Sequence, residues 1–219
     1  MSRDALLARI REASHGAATE AGAPSAHDPH PAPPELPVLP APQAFDDPVA
    51  LFIERARDVG VGVERVASVQ EAAERTAAWL RQRGVRRAVV WDTPDLAPVL
   101  DQLRAAGIEI LGPGSPVETL AQADAGVTGA EWGIAETATL ALASNPQQPR
   151  LASLLPPVHL AILRADRIVP DLHAFFLRCG ALPSSLTLIT GPSRSADIGS
   201  VLVLGAHGPT EVAVLLIAG

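Results

Sequence analysis

The sequence predicts an α/β domain, in which helices flank a mostly parallel (mixed) sheet, preceded by a helical and Pro-rich N-terminal arm. Three observations predict it. Between residues 48 and 120, short apolar runs alternate with amphipathic stretches, the pattern of βαβ units. The apolar residues are mostly Ala, Leu and Val, with aromatics at 3 % and no Tyr, which suits a parallel sheet covered by helices. From about 16 to 47 the chain is rich in Pro, Ala and His, and Pro24 through Pro42 deny it regular structure. The organisation is therefore an arm, 1–46, and one domain, 47–219.

In the arm, Leu6, Ile10 and Ala13 share one helical face behind Ser2 as N-cap. His15, His27 and His30 lack the Cys or the fixed spacing of a metal site and read as linker. Asp47-Pro48 caps the first domain helix, with Val49, Phe52, Ile53 and Ala56 inward and Gly60 at its end. Residues 63–66 are a short strand. Ser68-Val69-Gln70-Glu71 is a capping box for a helix that presents Val69, Ala73, Thr76 and Leu80. A strand, Ala88–Trp91, leads to a helix from Thr93-Pro94 with Leu96, Val99, Leu100 and Leu103 inward, closed by Gly107. Ile108–Leu111 is the next strand, and Ser115-Pro116-Val117-Glu118 opens another helix. After Gly126 the pattern changes. Strand-like runs 138–143 and 158–163 are separated only by a loop or a helical turn, so a mixed portion is expected. Val169-Pro170-Asp171 starts a helix with Leu172, Phe175, Phe176 and Cys179 inward. Two apolar runs, 186–190 and 201–204, then read as buried strands that stop in polar loops, and 212–217 is the last strand.

Bulk properties exclude several classes. A net charge of -7 with no Lys run argues against a nucleic-acid or membrane surface. A single cysteine, Cys179, rules out an internal disulfide or a Cys-rich metal or iron–sulphur site. No apolar stretch is long enough to span a bilayer, and the N-terminus lacks a signal-peptide core, so a cytoplasmic protein is expected. No P-loop, dinucleotide fingerprint, zincin helix or nucleophile elbow is present, and Gly112-Pro113-Gly114-Ser115 is a weak anion motif.

Three loops could carry chemistry: 127–137, the Gly191 loop and the Gly205 loop. If both C-terminal runs are strands, their loops lie together at the sheet edge where α/β proteins bind ligands. Gly191 lets backbone approach a ligand, Ser193 and Ser195 offer hydroxyls, and Arg194 can grip a carboxylate or phosphate bidentately. Ser195 and Asp197 suit a turn cap equally. His207, between Gly205 and Gly208, fits acid–base chemistry or a structural bond to a neighbouring loop. Glu136 is the carboxylate placed to act as base or nucleophile, or to pair with an Arg, with Glu131 near it. His159, inside a strand, reads as a satisfied core or half-buried residue, and Cys179 as a core residue. The candidate catalytic residues are thus Glu136 and His207. Candidate ligand-binding residues are Thr128, Gly129, Thr137, Thr190, Gly191, Ser193, Arg194, Ser195, Asp197, Gly205 and Gly208; no metal ligand is expected.

Five motifs in this order carry a resemblance: Val127-Thr128-Gly129, Ala135-Glu136-Thr137-Ala138-Thr139-Leu140, Pro156-Pro157-Val158-His159, Thr190 to Ile198, and Gly205-Ala206-His207-Gly208-Pro209. From about residue 48 onward the chain resembles the LUD-domain proteins, and within them the LutC/YkgG branch, lactate utilization protein C. That resemblance implies a fold of the NagB/RpiA/CoA-transferase-like type with its site at strand ends. It also implies membership of a bacterial L-lactate oxidation system (L-lactate to pyruvate) whose iron–sulphur clusters sit in partner proteins, with no cofactor in this chain. The chain would then be a non-redox subunit that binds a small anionic ligand or docks a partner, and a homo-oligomer is compatible. Two positions depart from the family's pattern: Ala138 stands where Gly is common, and Gly199 where an acid is common. The alternative is a free-standing isomerase or acyl-CoA transferase-like enzyme acting on a phosphorylated or carboxylated small molecule. There Glu136 would be base or nucleophile, and Glu136, Arg194 and His207 would converge on one pocket.

Overall fold

A computed structural model describes residues 45–196 and 202–218. The described residues fall within the unit Ala41–Gly219, and the predicted arm helix and most of the Pro-rich linker lie outside them.

Helix α1, Pro48–Asp58, begins where predicted: Asp47 accepts a hydrogen bond from the Ala50 N–H at 2.9 Å and Pro48 occupies the first turn. It buries Phe52 and Ala56. Strand β1, Gly62–Val66, leads to helix α2, Val69–Gln82. Its capping box forms with one shift: Ser68 Oγ accepts from the Glu71 N–H, and Glu71 reaches back to the Ala67 N–H rather than that of Ser68. Strand β2, Arg87–Val90, passes through a 3₁₀ turn at Pro94–Leu96 into α3, Ala97–Ala105. Strand β3, Glu109–Leu111, is followed by α4, Val117–Leu120, a single turn rather than the full helix its Ser-Pro-Val-Glu start predicts. Then come strands β4, Ala125–Gly129, β5, Trp132–Ile134, β6, Thr139–Ala143, β7, Val158–Arg164, and β8, Ile168–Val169. Helix α5, Leu172–Arg178, is capped by Asp171, which accepts from the Ala174 N–H at 2.6 Å. Strands β9, Leu186–Ile189, β10, Arg194–Ala196, β11, Leu202–Leu204, and β12, Glu211–Ile217, complete the order.

The main sheet is six-stranded and parallel throughout, in the order β1-β12-β7-β4-β2-β3. Its central strands β7, β12 and β4 are almost wholly buried and aliphatic. A second, mixed sheet, β8-β5-β6-β9, lies against it, and β10 and β11 form a separate antiparallel pair. Gly133 of β5 sits where Leu163 of β7, Ile168 and Phe52 of α1 meet, with no room for a side chain. A second cluster, Ile134, Ala141, Val169, Ala174 and Phe175, joins the small sheet to α5, and Cys179, expected in the core, is partly buried at its edge. Phe176 and Leu172, expected inward, are exposed.

Two expectations are corrected. The stretch 127–137 is two strands and a hairpin turn, and β4 is a central strand. Its Ala-Gly-Val-Thr-Gly sequence has few large side chains because the carbonyl of Ala152 crosses directly over Gly126. Nor are the two C-terminal runs buried strands of the main sheet. β9 is the half-exposed edge of the small sheet, and β11 belongs to the hairpin pair, with Val203 and Leu204 exposed.

Candidate functional site

The predicted loops do come together, but at the amino-terminal edge of the parallel sheet. β12 starts at Glu211 and β7 at Val158, and the turn Gly205–Thr210 leads into that edge, Thr210 donating both N–H and hydroxyl to Pro157 O at 2.8 and 3.0 Å. Ser193 ties the two loops. Its N–H donates to Pro209 O (2.8 Å), its carbonyl accepts from the Gly205 N–H (2.9 Å), and its Oγ accepts from the His207 N–H (3.2 Å). Arg194 lies over Gly60 and donates from Nη2 to Val59 O at 3.0 Å; the side chain is otherwise exposed. Gly191, at φ +83°, presses on the same carbonyl, where an added Cβ would stand 2.8 Å from Val59 O. Gly205 (φ +77°) is hemmed in by Thr210, and Gly208 by Ser193.

A chain of hydroxyls joins the Glu136 turn to this cluster. Thr137 Oγ1 and Thr139 Oγ1 are 2.7 Å apart, and Thr139 Oγ1 and Thr190 Oγ1 2.6 Å, which brings the β5–β6 turn to the threshold of Gly191. The turn is pinned by the Glu136 N–H donating to Pro170 O, and the Glu136 side chain points to solvent. Ala138 holds φ +50°, the one positive φ among the described non-glycine residues, with its methyl buried in the core. A glycine there needs no strain, which accounts for the common family residue. Of Ser195 the backbone is described, paired with Val203; Asp197 and Gly199 lie outside the described residues.

Thr128 does not join this cluster. It is fully buried on β4, and its hydroxyl lies 2.9 Å from His159 Nε2, so a ligand cannot reach it. His159 is buried as expected but not fully satisfied: Nδ1 has no hydrogen-bond partner among the described residues, and burial lowers its pKa to about 4. Gly129 sits at the opposite, carboxyl edge. There the ends of β2, β4, β7 and β12 frame a cleft of about 150 Å³, floored by Trp91, Leu96, Ile162 and Ile217 and rimmed by Asp95, Glu131, Gln148 and Arg164. Sequence reasoning missed Trp91, Asp95, Gln148 and Arg164, although residues just beyond the carboxyl ends of parallel strands are the ones to inspect. Arg164 hydrogen-bonds Asp166 at 3.1 and 3.2 Å and holds that carboxyl below the usual range. With that arginine engaged and two carboxylates on the rim, the cleft disfavours an anion.

The LUD domain family model matches residues 49–217. The chain belongs to the LUD-domain family. This LUD domain is 30 % identical to YkgG of Escherichia coli K12, over 76 % of this chain and 78 % of that protein. It is 32 % identical to lactate utilization protein C of Halalkalibacterium halodurans, over 63 % of this chain and 65 % of that one. Against the Bacillus velezensis protein of the same name the match, 40 % identical, spans 45 % of its length, so the LUD domain here aligns with roughly half to two thirds of such relatives. A solved DUF162 family protein from Deinococcus radiodurans superposes with a TM-score of 0.58 at 28 % identity, covering 78 % of this chain and 96 % of that one. The five sequence motifs thus fall in a family domain. In the structure four of them, the Glu136 turn, the Pro157 turn that opens β7, the Gly191 loop and the Gly205 loop, meet at the amino edge.

Gly191 is expected to set the loop's position. Gly191→Ala forces a side chain into left-handed backbone, at about 1–2 kcal/mol, and pushes on Val59 O. Thermal unfolding should show a loss of about 2 kcal/mol, while a loss below about 0.5 kcal/mol would mean the loop is not held as described.

Proposed function

We propose that this LUD domain serves a lactate-utilization system as a non-redox component, docking partner proteins or a small anion through its amino-edge loops. The observation that carries this reading is the Ser193 junction, which locks the Gly191 and Gly205 loops together while leaving Arg194 and His207 exposed. A rigid pair of loops with an exposed guanidinium is preorganised for a carboxylate, either of a small acid or of a partner's acidic side chain. Relatives named lactate utilization protein C support the pathway assignment. The redox chemistry then belongs to iron–sulphur partners, because a single partly buried cysteine cannot ligate a cluster. The isomerase- or transferase-like alternative requires Glu136, Arg194 and His207 to converge on one pocket; here Glu136 and His207 lie on exposed turns and Arg194 at the exposed start of β10.

The test is removal of the chain from its native host. Lactate-dependent electron transfer in extracts should fall to background and return on complementation, and iron–sulphur proteins should co-purify with the tagged chain. Undiminished lactate oxidation in the deletion strain would reject the proposal.

A further inference from the structure

The structure holds a sheet edge that nothing in the lactate-related reading uses. β9 is the last strand of the small sheet, and its outer edge has no strand partner among the described residues. Proteins blunt such edges with charge, proline or brevity, because an open edge pairs with any suitable strand. The other edges of the two larger sheets follow that rule. β1 carries exposed Glu64 and Arg65, β3 is three residues long and starts with Glu109, and β8 is two residues long and runs into Pro170. β9 reads Leu-Thr-Leu-Ile, with no charge and no proline, and Leu188 is 42 % exposed.

The surroundings match. Helix α5, which packs on β5 and β8 and shares a cluster with Leu186 of β9, turns outward Phe176 (46 % exposed) and Leu177 (67 %), with Leu182 exposed on the connection to β9. The stretch 172–190 contains one formal charge, Arg178, in a chain that is 19 % charged overall and carries a net charge of -7. That bareness selects the occupant. In a twofold contact each residue meets the same surface, so any net charge in the patch would oppose itself. Two copies of an acidic chain meet here with little like-charge repulsion, since the stretch carries a single charge, Arg178, per copy. A strongly charged partner would instead call for more complementary charge than Arg178 supplies.

We propose that a second copy of this chain pairs antiparallel with β9, joining the two small sheets into one continuous sheet of eight strands. Four paired residues alone make too small an interface, since a stable one covers about 800 Å² per partner. The exposed α5 residues and Leu182 of both copies extend the contact.

Sedimentation equilibrium of the full chain tests this, with Leu188→Lys as the disrupting variant; the side chain is exposed, so the lysine has room without disturbing the core. The wild type should have twice the chain mass and Leu188→Lys the single mass, with unchanged thermal unfolding at low concentration. Should the variant fail to fold, hydrogen exchange of the wild type decides: the amides of 186–189 should become protected as concentration rises. A wild type that stays monomeric at high micromolar concentration overturns the proposal, as does a dimer that survives Leu188→Lys with its fold intact. Protection of β9 at all concentrations in a monomer would also overturn it, because another segment of the chain would then cover the edge. None of these outcomes depends on lactate oxidation.

Discussion

Gly126→Ala should destabilise the domain severely, whereas Gly129→Ala, three residues along the same strand, should be nearly neutral. A Cβ on Gly126 would lie 1.7 Å from the carbonyl oxygen of Ala152 and 2.9 Å from its carbonyl carbon. Both atoms are backbone, so no side-chain rotation relieves the overlap. Either the 3₁₀ turn Arg150–Ser153 lifts off β4 or the strand leaves its place between β2 and β7. Overpacking that can relax costs about 1–3 kcal/mol; this one cannot relax locally, so about 4 kcal/mol is expected. At about 2–4 °C per kcal/mol for a chain of this size, Tm should fall by about 10 °C or more. A Cβ on Gly129 meets only Trp91, at 4.0 Å, an ordinary contact. Equal melting temperatures for the two variants would show that the turn does not cross β4 as described.

Acid should weaken the fold through His159. Burial lowers its pKa to about 4, against 6.5 for an ordinary histidine. Between those two values the unfolded chain binds the proton and the folded chain does not, so stability is complete above pH 6.5 and is lost as pH falls toward 4. The loss amounts to roughly 3 kcal/mol at about 1.4 kcal/mol per pKa unit. Below pH 4 both states are protonated and this contribution changes no further. Carboxylates titrate in the same range, so the measurement is the difference between the wild type and His159→Gln in urea unfolding from pH 7 to pH 4. That difference should move by roughly 3 kcal/mol in favour of the variant. A difference independent of pH would place the imidazole in contact with water.

Much of the fold could be read because local chemistry and tertiary structure agree. Asp47-Pro48, Ser68 with Glu71, and Asp171 each predicted a helix start that the hydrogen bonds realise. What was not legible arose from packing over distance. β4 looks like loop because Gly126 is demanded by the turn at Ala152, twenty-six residues away, and not by its own neighbours. β9 and β11 look like buried strands because their runs, Leu-Thr-Leu-Ile and Leu-Val-Leu, are almost wholly apolar, yet neither enters the main sheet. That these loops are turns which come together was legible, since Gly, Ser and Thr at strand ends announce turns. Their edge was misplaced, because a strand's direction relative to the sheet is decided by its pairing partner. Thr128 was misassigned for a related reason: only the register of β4 with β7 shows that it faces His159.

The proposed docking role in lactate utilization rests on the amino-edge loops. The most direct measurement is complementation of the deletion strain on L-lactate as sole carbon source, comparing the wild-type chain with Arg194→Ala, whose exposed guanidinium makes only one described bond, to Val59 O. Growth should be restored by the wild type and lost or cut at least about tenfold in rate with Arg194→Ala, at equal protein level, a factor worth about 1.4 kcal/mol at the docking step. Full growth with Arg194→Ala, or growth of the deletion strain without any copy, would contradict the claim.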